Sequence, residues 1–145
     1  MVENSQLQVV KRGSRGKEPL NIEKIHEMVE YACEDIAGVS ASQVEMNSGL
    51  QFYDGITTDE IQQILIKSAS DLISLEHPNY QFVAARLLLF ALRKQVMGKL
   101  WDHPHIYDHV KAGVEKGVYD PEILNWYDKK DFDRMENWIN HERDY

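Results

Sequence analysis

Residues 80–94 read YQFVAARLLLFALRK, and how this stretch is read decides the fold. Leu87-Leu88-Leu89-Phe90-Ala91-Leu92 would place apolar side chains nearly all round a helix, where a surface helix carries them on one side only. A helix of that kind belongs in the middle of a bundle, and the pattern predicts it from Tyr80 to about Lys99. Working back from it, His77-Pro78-Asn79 marks a boundary, because the residue before a proline avoids the helical region. The helix before that boundary opens with Thr57-Thr58-Asp59-Glu60. Here a Thr side chain accepts a backbone N–H and the Glu three residues on reaches back to the cap, so the helix starts near residue 58. Its inward stripe is Ile61, Ile64, Leu65, Ala69, Leu72 and Ile73.

Further back, Gly49 and Phe52-Tyr53-Asp54-Gly55 read as a loop, and a shorter helix runs from Ser40 or Ser42 to about Ser48. Asn21 is a good N-cap for a helix whose apolar positions are Ile22, Ile25, Val29, Ala32 and Ile36, with Gly38 as its stop. Leu7 to Val10 reads as a strand, Gly13-Ser14-Arg15-Gly16 as a turn, and Lys17 to Leu20 as an antiparallel return. The predicted class is mainly α (α+β): over residues 1–98, a four-helix bundle capped by a small N-terminal β-hairpin. Beyond Gly98, Trp101, Pro104, Gly113, Gly117 and Pro121 divide residues 99–145 into short helices, roughly 105–116, 121–127 and 131–142.

A chain of 145 residues with 43% hydrophobic content is long enough to bury a real core. The longest apolar stretch, Phe82 to Leu92, is about half of the ~20 residues a membrane span needs and contains Arg86. No membrane span and no secretory signal are expected, which makes the cytoplasm the expected compartment. Cys33 is the only cysteine, excluding an internal disulfide, a cysteine-rich zinc site and two-thiol redox chemistry. It reads as a small buried hydrophobe. The net charge of −8 argues against a nucleic-acid partner, which needs a basic face. Residues 1–17 nevertheless carry +3, through Lys11, Arg12, Arg15 and Lys17 against Glu3, and the remainder carries −11. A small cationic patch on an acidic body suits a compact anion. A solvated basic loop is the plain alternative.

The cations are not a phosphate loop of the G-x-x-x-x-G-K-[ST] kind. Gly13 and Gly16 enclose two residues where four are needed, and Glu18, not a hydroxyl residue, follows Lys17. His105 and His109 have the i, i+4 spacing of a metal pair, but no third ligand stands at a recognisable spacing, and the histidines near Pro104 read as helix-start chemistry. Glu34-Asp35 and Asp131-Asp133 read as solvated faces. No nucleophile-base arrangement is visible. An anion is better served by the helix starting at Asn21, whose unpaired N–H groups and positive dipole end suit phosphate. Lys24 lies in that turn and Lys11 approaches from the strand. Thr58 offers a hydroxyl at another helix end. Lys94 is a cation beside the core that either meets an anion or snorkels to solvent.

With these pieces assembled, the chain resembles the ATP-cone domain at the N-terminus of the large (alpha) subunit of class I ribonucleoside-diphosphate reductase, and is similar to bacteriophage-type forms. The resemblance rests on Val9-Val10-Lys11-Arg12 before a glycine turn, Asn21 to Ile25 (N-I-E-K-I), Asp54 to Ile61 (D-G-I-T-T-D-E-I) and Tyr80 to Lys94. It continues through Tyr107-Asp108-His109-Val110 and Tyr119 to Leu124 as far as His141-Glu142-Arg143-Asp144. It implies an allosteric activity site for ATP or dATP, compatible with magnesium, in which ATP favours the active assembly and in many members dATP an inhibited one. Lys11, Arg12, Glu18, Pro19, Leu20, Asn21, Ile22, Glu23 and Lys24 would meet the nucleotide. Asn21 and Lys24 would lie near the phosphates and Glu18 near the base or sugar. Ile25 and Phe90 would wall the pocket, and Thr58 and Lys94 would complete it.

The chain departs from the family in two respects. Its glycine turn is one residue longer than usual, and it has Gln62 and Ala91 where dATP-inhibited members commonly carry histidines. The implied partners are the remainder of the large subunit and the radical-generating small subunit. The chain is expected to stop where the catalytic barrel would begin, with residues 99–145 as a linker toward it. It is therefore expected to hold no redox cofactor and to be inactive alone. Two other readings stand beside this one. A nucleotide-sensing repressor lacks its four-cysteine ribbon here. A degenerate cone would act only as a helical docking module.

Overall fold

The computed structural model describes residues 7–11, 16–98 and 103–144. Arg12, the turn residues Gly13, Ser14 and Arg15, and Trp101 lie outside the described residues. The molecule is mainly helical, with one small sheet, and it divides into two compact units that meet in sequence at Leu92 and Arg93.

In the first unit, strands β1 (Gln8–Val10) and β2 (Lys17–Pro19) form the predicted antiparallel pair, with Val9 opposite Glu18. Gly16, at φ +89°, supplies the left-handed backbone that leads into β2, and its carbonyl accepts from Lys11 N–H at 3.1 Å. A third strand, β3 (Ile56–Thr57), lies where the sequence read as loop running into helix. It pairs parallel to β1, Val9 with Ile56 and Val10 with Thr57, so the sheet order is β2-β1-β3. Two hydrogen bonds pin this register: Gln8 N–H donates to Asp54 Oδ1 at 2.8 Å, and Gly55 N–H to the Gln8 carbonyl at 2.8 Å.

Helix α1 (Ile22–Cys33) starts at the predicted cap, where Asn21 Oδ1 accepts from Lys24 N–H at 3.1 Å. It stops short of Gly38. Glu34 is extended and Asp35 is left-handed at φ +57°, a conformation Asp tolerates better than most residues, so Ile36 falls outside the helix. The Arg86 guanidinium meets the end of α1, donating to the carbonyls of Ala32 and Glu34.

Helix α2 (Ala41–Gly49) follows from Ser40, and α3 (Thr58–Asp71) opens with both halves of the capping box. Glu60 N–H donates to Thr57 Oγ1 at 3.1 Å and Thr57 N–H to Glu60 Oε2 at 2.9 Å. The Glu60 carboxyl is held below its ordinary range, first by the Thr57 N–H and then by the hydroxyls of Thr57 and Tyr53.

Helix α4 (Tyr80–Met97) differs from its prediction. Tyr80, Val83, Leu87 and Phe90 are buried against a core of Val29, Ala32, Val44, Ile56, Leu65 and Ala69. Phe82, Leu88, Leu89 and Leu92 are exposed. One side of α4 meets the rest of the bundle, and its other side is also apolar. The expectation that apolar residues all round mean burial all round is thus corrected. Cys33, expected to be buried, is half-buried, and burial pushes its thiol up to about 11.

The second unit contains α5 (Ile106–Glu115), α6 (Ile123–Trp126), α7 (Lys129–Glu136) and a 3₁₀ turn (His141–Asp144). Its small core is Val110 and Phe132, with Tyr107 and Tyr127 edge-on to the Phe132 ring at 5.5 and 6.3 Å. No helix among the described residues is long and apolar enough to cross a membrane.

Candidate functional site

The sheet register decides where the hairpin's charges go. Directly paired residues share a face, as do residues two apart along a strand. Val9 and Ile56 are buried, so the face they share is the one turned to the helices. Glu18, opposite Val9, and Lys11, two residues beyond it, continue that face past the edge of the core. Their side chains meet, with Lys11 Nζ 2.7 Å from Glu18 Oε1. The Lys11 hydrogen bond is the main reason the Glu18 carboxyl sits below its ordinary range, with Lys24 adding a smaller pull.

From β2 the chain turns directly into α1. Leu20 is buried, its N–H donating to the Leu7 carbonyl at 2.7 Å, which fixes the angle at which Asn21 enters the helix. An open cleft of about 530 Å³ lies along this turn, lined by Glu18 to Lys24. The N–H groups of the first helical turn have no acceptor within their own helix, and the macrodipole makes this end positive. The Asn21 cap takes the Lys24 N–H, so the donors on this lining are the other first-turn N–H groups and the Lys24 ammonium, which suit phosphate, beside the carboxylates of Glu18 and Glu23.

The structure thus gathers Lys11, Glu18, Pro19, Leu20, Asn21, Ile22, Glu23 and Lys24 in one place. Among the described residues, the lining of this cleft includes none of Ile25, Thr58, Phe90 and Lys94. Ile25 is buried and lines an adjoining apolar pocket of about 190 Å³ with Leu7, Leu20, Ile22 and Phe52. At that pocket His26 Nδ1 lies 2.7 Å from Glu45 Oε1, and this bond raises the imidazole above its ordinary range. Thr58 is in the first turn of α3, one residue past the Thr57 that pairs with Val10. The capping hydroxyl belongs to Thr57, leaving that of Thr58 outside the capping box. Phe90 is 1% exposed, with its ring 5.6 Å from that of Tyr31, which makes it a core residue. Lys94 is exposed in the last turn of α4, within the second unit.

Two further residues acquire structural roles. Gln62 is 6% exposed, and its Nε2 donates to the Leu87 carbonyl at 2.9 Å, joining α3 to α4. Its signal in the sequence was a polar residue beside Ile61 on an inward stripe. His105 is the N-cap of α5, accepting from Tyr107 N–H at 3.2 Å, and its Nε2 lies 3.3 Å from Asp133. Among the described residues no group of three or more His, Cys, Asp and Glu is placed to hold a metal ion.

The ATP cone domain model matches residues 7–95. Over 141 residues the chain is 45% identical to ribonucleoside-diphosphate reductase 1 subunit alpha of Escherichia coli K12, covering 97% of this chain and 18% of that protein. Against the ribonucleoside-diphosphate reductase subunit alpha of Enterobacteria phage T4 it is 43% identical over 124 residues, covering 84% and 16%. Against that of Helicobacter pylori it is 41% identical over 138 residues, covering 94% and 17%. The chain spans less than a fifth of the length of these curated relatives. With the match running from β1 through most of α4, across the sheet, the helices and the cleft, this chain belongs to the ATP-cone domain family.

Proposed function

We propose that the cleft at the start of α1 binds a nucleoside triphosphate, ATP or dATP, and that the chain is the allosteric activity region of a ribonucleoside-diphosphate reductase large subunit. One observation carries this reading: Lys24 and the N-terminal turn of α1 line a cleft, and Lys11 is bonded to Glu18 on that same lining, a combination that suits phosphate. The partners proposed are the rest of the large subunit and the radical-generating small subunit. Calorimetry tests the binding step. ATP should release heat on this chain, and Lys24→Ala should weaken it by about tenfold, the ordinary effect of removing one charged donor to phosphate. If neither nucleotide gives heat, the second reading takes its place: a cone that only docks. The exposed Phe82, Leu88, Leu89 and Leu92 favour that alternative.

We infer further that dATP binds without strong inhibition. The Gln62 amide is engaged with the Leu87 carbonyl, and Ala91 presents a methyl group, so neither supplies the charge-assisted donor that a cationic imidazole would. In an assembled reductase carrying this region, dATP should leave most of the ATP-stimulated activity intact. Strong inhibition at concentrations where ATP activates would overturn this.

A further inference from the structure

Among the described residues of α4 from Gln81 to Leu92, the exposed positions are Gln81, Phe82, Ala85, Leu88, Leu89 and Leu92, and the glutamine alone is polar. A solvated helix face ordinarily carries charges. The one charged residue in that span is Arg86, and its guanidinium is spent on the end of α1, where it donates to the carbonyls of Ala32 and Glu34. Phe82, Leu88 and Leu92 are 53%, 55% and 52% exposed, which makes this open apolar surface and not the margin of the core.

The spacing within the face points to what covers it. Phe82, Ala85, Leu89, Leu92 and Val96 follow one another at intervals of three and four, the a and d positions of a heptad. A narrow seam of period 3.5 is the pattern of two helices wound about each other, and a helix with the same seam is present in a second copy of this chain. Run antiparallel about a two-fold axis, the seam is self-complementary. Phe82 then meets Leu92 of the second copy, and Ala85 meets its Leu89, so that a small side chain faces a large one. Run parallel, Ala85 would face itself and leave a hole beside the Phe82 pair. With the flanking Gln81, Leu88 and Gln95, each copy can bury roughly 500 Å², or about 1,000 Å² in all, the lower bound for a specific interface. We propose that α4 pairs antiparallel with α4 of a second copy, giving a weak dimer that forms without nucleotide. This goes beyond the reading of the cleft and does not draw on it.

Sedimentation equilibrium on the full chain, free of nucleotide and at fixed ionic strength, tests the pairing. The chain should pass from monomer to dimer with a dissociation constant on the order of 10–100 μM, as suits so small an interface. Phe82→Glu and Leu92→Lys each put a charge into the seam, and each alone should weaken the dimer roughly tenfold or more. Mixed in equal amounts, the two variants should form a heterodimer within about threefold of the unaltered affinity, because the antiparallel register sets the new carboxylate against the new ammonium. Both positions are half exposed, so the fold should stand, and circular dichroism checks that. Ala85→Gln is a milder second variant that adds bulk where Leu89 of the second copy approaches, and it should weaken the dimer roughly fivefold. A chain that stays monomeric up to about 200 μM overturns the proposal and leaves the face to some other protein. So does a dimer that Phe82→Glu and Ala85→Gln leave unchanged. If the mixture associates no better than either variant alone, the helices do not pair antiparallel in this register, and the proposed contact is wrong.

Discussion

Phe90→Ala should lower the unfolding free energy of this chain by about 3–5 kcal/mol, the range for emptying a buried aromatic position. Phe90 is 1% exposed and projects from α4 toward Tyr31, with ring centroids 5.6 Å apart and planes tilted by 44°. Its removal takes away that ring contact and leaves a void between α4 and α1. A tightly packed interior refills such a void only in part. Urea unfolding of the ligand-free chain measures the effect, and Phe90→Leu should keep the loss to about 1.5 kcal/mol or less because much of the volume remains. The family resemblance gave Phe90 a place in the nucleotide pocket. That role predicts lost ATP affinity with little change in the ligand-free protein, so a loss below about 1 kcal/mol in Phe90→Ala would refute the packing role argued here.

Gln62→Ala has the second-largest expected effect, about 2–3 kcal/mol, combining lost volume at a buried site with a lost hydrogen bond. The amide is 6% exposed and bonds the Leu87 carbonyl at 2.9 Å, so the truncation loosens α3 from α4 at one of their joins. Gln62→Leu separates the two contributions. It restores most of the volume, and Leu87, inside a regular helix, keeps its own backbone donor. It should therefore lie within about 1 kcal/mol of the unaltered chain. Equal losses in both variants would show that the hydrogen bond dominates. Losses near zero in both would show that the α3–α4 join does not depend on this residue.

The parts of the fold that were legible in the sequence are those fixed within a few residues. Asn21 caps α1 through a bond to the N–H of Lys24, and Thr57 and Glu60 complete their box across one turn. Such signals need no tertiary context. β3 escaped because two residues carry no periodicity, and its partner lies in another part of the chain. The exposed side of α4 escaped for a different reason: Leu88 and Leu89 look like Leu87 until the neighbouring elements are in place. The site divides the same way. A strand end running into a helix start was enough to group Lys11, Asn21 and Lys24, and the resemblance added the rest of the contiguous segment from Glu18 to Lys24. Ile25 and Phe90 were assigned from resemblance alone, whereas Thr58 and Lys94 were also offered as a helix-end hydroxyl and a cation beside the core; chain-local chemistry offers no means of placing residues so far apart.

The parallel pairing of β1 with β3 also bears on the order in which the molecule can form. Gln8 and Asp54 are 46 residues apart, and the segment between them contains α1 and α2. An isolated two-stranded hairpin is marginal in water, and closing so long a loop is entropically costly until the intervening helices shorten it. The strands should therefore lock last, onto helices already collapsed, and the cation-bearing edge should mature with them. Any ligand that selects the finished arrangement would then act on this late step, steadying the N-terminal strand by mass action.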